Sequence, residues 1–105
     1  MKGLFSLVAV VALGVSLSAC CGGDARFWGG QDAGGAMVYA VDTADDPLGA
    51  SAPAEYVDGQ GRKVQATNPR LQQISEEEYR QGAGGAGYRV NYCPKTGCWA
   101  EPVPR

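Results

Sequence analysis

Apolar positions follow two regimes along the chain. Residues 3–17 (GLFSLVAVVALGVSL) form one run without a charge, and everything after it comes in short stretches separated by glycine, proline and acidic residues. Residues 36–41 (AMVYAV) are β-branched and aromatic enough to predict a strand, which Asp42, Asp45, Asp46 and Pro47 would end. Residues 55–57 (EYV) and 62–66 (RKVQA) flank Asp58-Gly59-Gln60-Gly61, a pattern that predicts a hairpin in which Asp-Gly supplies the positive φ of a tight turn. Tyr88, Val90 and Tyr92 alternate with polar residues, as on a half-buried strand. Pro94 and Gly97 then predict a compact turn leading to Trp99.

One segment carries the opposite periodicity. Ser75-Glu76-Glu77-Glu78 has the spacing of a capping box, in which the serine hydroxyl takes an orphan amide and the carboxylate three residues on reaches back. Glu76 and Arg80 are one helical turn apart, the three acids suit the positive end of the helix dipole, and Gly82 is placed to stop the helix. Together these elements predict a small, sheet-rich α+β domain with one short helix and considerable irregular content.

Glycine changes the picture of where that domain starts. Gly22-Gly23, Gly29-Gly30 and Gly34-Gly35 crowd the stretch before the first predicted strand, and glycine loses the most backbone entropy on ordering. Residues 20–35 therefore read as a flexible tether, and residues 36–105 as the globular body with a C-terminal hairpin. Phe27-Trp28 is the discordant note, since aromatic rings are unusual in a solvated linker and point to a membrane interface, a docking place on the domain or a ligand to stack on.

The charged-then-apolar start, Met1-Lys2 followed by residues 3–17, is the order of a secretory signal. The run is shorter than the roughly 20 apolar residues that cross a bilayer, which makes it a poor permanent span. It ends in Leu17-Ser18-Ala19-Cys20, which resembles the lipobox of bacterial lipoproteins: an aliphatic residue, two small ones and then a cysteine. The resemblance covers residues 1–20 only. It implies removal of residues 1–19, a thioether-linked diacylglycerol on Cys20 and a further acyl chain, such as palmitate, on the new amino group. Two or three chains make a durable anchor, so the expectation is attachment to a membrane through covalent lipid. Cys21, in place of the aspartate that retains such proteins in the inner membrane, favours the periplasmic face of the cell outer membrane.

Nine basic and 11 acidic residues give a net charge of −2, and loss of Lys2 with the signal would make it slightly more negative. That balance argues against nucleic acid as a partner, because lysine and arginine must neutralise its phosphates. Histidine is absent, which removes the commonest general base, and no nucleophile elbow or phosphate loop is present. No catalytic residue, cofactor, metal site or small-molecule substrate is therefore expected. Three thiols beyond Cys20 are too few for a structural zinc, and Asp42, Asp45 and Asp46 miss calcium-loop spacing.

Of the four cysteines, Cys20 would carry lipid. Cys93 and Cys98 would close as a disulfide across the hairpin turn in an oxidising compartment. Cys21 is left over and could link to another molecule. The functional expectation is a non-catalytic, lipid-anchored envelope protein that holds a protein partner, with Tyr88, Tyr92 and Trp99 as a candidate interaction surface. The alternative is a small ligand-binding or enzyme-inhibitor module displayed on the membrane.

Overall fold

The computed structural model describes residues 25–95 and 97–105, and the signal segment, Cys20 and Cys21 lie outside them. The described chain is a small α+β domain. Seven strands and one helix follow in the order β1 (Ala25–Gln31), β2 (Met37–Thr43), β3 (Tyr56–Asp58), β4 (Lys63–Val64), β5 (Arg70–Ile74), α1 (Glu76–Gly82), β6 (Gly87–Cys93) and β7 (Gly97–Val103). The first five form an antiparallel sheet in the order β4-β3-β2-β1-β5, and β6 and β7 form a separate antiparallel ribbon.

The largest departure from the sequence expectation is β1. The stretch read as a tether is instead an inner strand, paired with β2 on one side and β5 on the other. Its glycines serve close approach, not flexibility. A Cβ on Gly30 would collide with the Arg70 carbonyl of β5, and one on Gly29 would stand 3.1 Å from the Tyr39 ring and 3.2 Å from Ile74 Cδ1. Phe27 and Trp28 are thus strand residues that pack onto the domain. The turn from β1 to β2 is held by Asp32, whose carboxylate accepts from the amides of Gly34 and Ala36.

Alternation along β1 and β2 sorts side chains onto two faces. Phe27 lies opposite Val41 and Ile74 on the face that receives α1 and the ribbon. There Phe27, Val41, Val57, Tyr79, Ala83 and Ala86 form the core, with Tyr39, Ile74, Tyr88 and Ala100 packed around it. Tyr79 joins the layers. It is fully buried, its ring lies 5.4 Å from that of Phe27, and its hydroxyl donates to the Gly87 carbonyl at 2.7 Å.

The helix start has the predicted chemistry: Ser75 Oγ accepts from the Glu78 amide at 3.1 Å, and the Glu78 carboxylate accepts from the Ser75 amide at 2.8 Å. Ser75→Ala strands one orphan amide of a helix too short to stand alone. The variant should lose about 1 kcal/mol, visible as a melting temperature lowered by roughly 5 °C.

The β3–β4 hairpin forms, but with a different turn. The positive φ falls on Gly61 (77°), not Gly59, and Asp58 holds the loop by accepting at its side chain from the Gln60 and Arg62 amides. This is the longer connection in which a left-handed glycine closes a bulge. Those two backbone donors also hold the Asp58 carboxyl below the usual carboxylate range.

Candidate functional site

Two regions at opposite ends of β1 carry the features a partner would meet. The first is built on Asp42, which sequence reading took for a turn former. Asp42 sits on the sheet face away from α1, directly opposite Arg26, and is 3% exposed. Arg26 Nε and Nη2 donate to its two oxygens at 2.9 Å each, Trp28 Nε1 donates at 2.8 Å and the Leu48 amide at 2.9 Å. The Arg26 guanidinium lies over the Trp28 ring at 5.5 Å, and its hydrogen bonds to Asp42 raise its pKa further. Every acceptor direction of this carboxylate is spent inside the fold.

The neighbouring acids are committed in the same way. Asp45 accepts from the Cys98 amide at 3.0 Å, and Asp46 accepts from the Ser51 hydroxyl at 2.8 Å. The fully buried Thr43 donates to the Cys98 carbonyl at 2.6 Å. The loop after β2 therefore clamps the start of β7 against the sheet end where β1 begins.

The ribbon register decides what the cysteines and aromatic rings can share. Cys98 lies across from Tyr92 and Cys93 across from Gly97, so the two sulfurs leave the ribbon on opposite faces. Cys98 is disulfide-bonded. The register works against the expected Cys93–Cys98 staple, a correction that follows from a one-residue offset between the two positions.

The same alternation separates the expected aromatic surface. Tyr88 and Tyr92 share a face, whereas Trp99 pairs with Asn91 on the other. Tyr88 belongs to the core, edge-on to Phe27 with ring centres 4.9 Å apart. Its hydroxyl donates to Glu76 at 3.1 Å, and burial followed by that bond pushes its pKa up. Glu76 is in turn held below its ordinary range by Arg80, whose Nη2 is 2.6 Å away. Tyr92 alone of the three is open, at 66% exposed.

The second region lies at the far end of β1. Gly29, Gln31, Met37, Tyr39, Arg70, Gln72 and Ile74 line an open groove of about 640 Å³, walled on the helix side by Glu78, Gln81 and Gly82. Tyr39 and Ile74 form its floor because Gly29 between them has no side chain. Met37, 41% exposed, is an apolar step at the rim among amides and opposite charges. The outer side of β5, beside the groove, has no strand partner among the described residues. Sequence reading missed this site because its residues come from four separate segments that only the fold brings together.

Chemically, the groove offers amide donors and acceptors over a small apolar floor. Among the described residues no group of three or more acids or thiols is placed to hold a metal ion, and no helix is long and apolar enough to cross a membrane. No family model matches the chain, and no curated protein or solved structure matches it either.

Proposed function

We propose that this chain is a lipid-anchored cell-envelope protein whose domain docks a protein partner without catalysis. The observation that carries the reading is the direction of β1. It starts at Ala25, five residues beyond Cys20 of the lipobox, and ends at Gln31 beside the groove. Five residues reach at most about 18 Å, so an anchor on Cys20 keeps the Ala25 end near the bilayer. The strand then carries the groove about 20 Å away from that end. Cys21 after the lipidated position favours the outer membrane, with the groove facing the periplasm.

A protein segment suits the groove better than a small molecule. Small-ligand sites enclose most of their guest in a mainly apolar cavity. Here the floor is narrow, the rim is polar and the adjoining β5 edge has no strand partner among the described residues, the features an extended segment uses in strand addition.

Intact mass of membrane-extracted protein, wild type beside Cys20→Ala, tests the anchor. Acyl mass on a chain beginning at Cys20, absent from the variant, supports it; an unlipidated wild type removes it. A photo-crosslinker at Gln72 tests the dock in cells. One discrete adduct, abolished by Met37→Glu while an adduct-free control position at Lys63 stays silent, is the expected result. Equal labelling from both positions would sink the docking reading.

A further inference from the structure

The disulfide at Cys98 needs a second sulfur, and the fold narrows the choice. Cys93 leaves the ribbon on the opposite face, set by its pairing with Gly97. The remaining cysteines are Cys20 and Cys21. We propose that Cys98 is bridged to Cys21, so that the lipid anchor is stapled directly to the C-terminal hairpin.

Two contacts and a short span of chain bring the two within reach. Thr43 is the register partner of Ala25, and paired Cα atoms in an antiparallel ladder lie about 5 Å apart. The Thr43 hydroxyl is bonded to the Cys98 carbonyl at 2.6 Å, which places Cys98 beside the start of β1. From Ala25 back to Cys21 is four residues, a span of up to about 14 Å, and Gly22-Gly23 within it lets the chain turn sharply. A disulfide needs its Cα atoms roughly 4.4–6.8 Å apart, a separation this short segment can meet. Cys20 is also within reach. The choice between them rests on the lipid-anchored reading, in which the Cys20 sulfur is consumed by a thioether.

The chemistry is an ordinary oxidation. The two thiols lose two protons and two electrons as the S–S bond forms, and the acceptor is the disulfide of an exported thiol-oxidising protein, which is reduced to its dithiol. The result fixes the domain's pose. Anchor, start of β1 and ribbon tip become one covalently closed patch, and the exposed Tyr92 ring, across from Cys98, stands where an aromatic side chain meets lipid headgroups. The groove at the other end of β1 then cannot swing down to the membrane.

Trypsin separates the candidates. Cleavage after Arg89 and Lys95 puts Cys93 in peptide 90–95 and Cys98 in peptide 96–105, while Cys20 and Cys21 share peptide 20–26. Full-length protein extracted from membranes, alkylated before digestion and kept unreduced, should give 96–105 linked to an acylated 20–26. In Cys21→Ser the link should disappear and 96–105 should be recovered without it. Linkage of 96–105 to 90–95, an alkylated 96–105 from wild type, or a link that survives Cys21→Ser each overturns the staple. The two readings separate cleanly: acylated 20–26 without a link keeps the anchor and removes the staple, whereas an unacylated linked pair lost in Cys21→Ser keeps the staple and removes the anchor.

Discussion

Asp42→Ala should cost the domain about 3 kcal/mol, one of the two largest losses from a single substitution in this chain. The side chain is almost wholly buried at 4% exposure, and alanine would strand the Trp28 indole N–H, the Leu48 amide and the Arg26 guanidinium together. Arg26 is 32% exposed and can turn toward water, which keeps the loss below that of a fully enclosed ion pair. The Leu48 amide and the indole have less freedom. Thermal unfolding should show a drop of roughly 10–20 °C, with Trp28 emission altered in the folded state. Asp42→Asn keeps the shape but turns an amide donor toward these donors, and should recover only part of the loss. Arg89→Ala is the control: its pair with Glu101 is solvent-exposed at 58% on the arginine side, and its removal should cost well under 1 kcal/mol. Equal losses from Asp42→Ala and Arg89→Ala would mean the network is no more than surface charge.

This network also marks how far sequence reading carries. Elements with local signals were legible: the Ser75 and Glu78 cap, the β2 stretch of β-branched residues, and the alternation in β6. Positions whose meaning depends on a distant partner were not. Gly29 and Gly30 read as a hinge because glycine is locally permissive, whereas the fold uses the missing Cβ to bring β5 and the Tyr39 ring against β1. Phe27-Trp28 held the clue, since rings in that stretch needed a surface to cover. The polar β5 (RLQQI) has neither alternation nor β-branched content beyond Ile74, because an edge strand with one face in a polar groove is not under that pressure. Asp42 looked like a turn residue; its partner Arg26 lies 16 positions away and only the strand register joins them. Cysteine pairing failed for the same reason, as five residues of separation do not reveal which face each sulfur takes.

The two ends of β1 differ in how their polar groups are used, closed into a network at one and left open at the other. At the Ala25 end, Asp42, Thr43 and Asp45 tie β1, β2 and β7 into one corner. At the Gln31 end β1 stays paired with both neighbours, and the missing side chains of Gly29 and Gly30 leave the groove open above them. On the proposed lipid-anchored reading, a partner bound there would load β1 lengthwise, the direction in which its two flanking strands share the strain.

Tyr79 should show the largest cost and a distinctive pH dependence. Its ring is fully buried between sheet, helix and ribbon, in contact range of Phe27, Tyr39 and Tyr88. Tyr79→Ala should lose about 4 kcal/mol, because the cavity would lie where three layers meet and none can collapse alone. Tyr79→Phe keeps the packing and loses only the bond to Gly87, about 1 kcal/mol. Burial pushes the Tyr79 phenol up to about 12 from 10.0. The unfolded chain therefore releases this proton first, and the native state is penalised as pH rises: the stabilisation is complete below pH 10.0 and declines until about 12. Urea unfolding at pH 7 and at several alkaline points should show wild type losing roughly 2 kcal/mol across that window. Tyr79→Phe should flatten the slope, leaving the smaller contribution of Tyr88, whose pKa is also raised. An unchanged slope in Tyr79→Phe would show that the alkaline loss comes from groups outside the core.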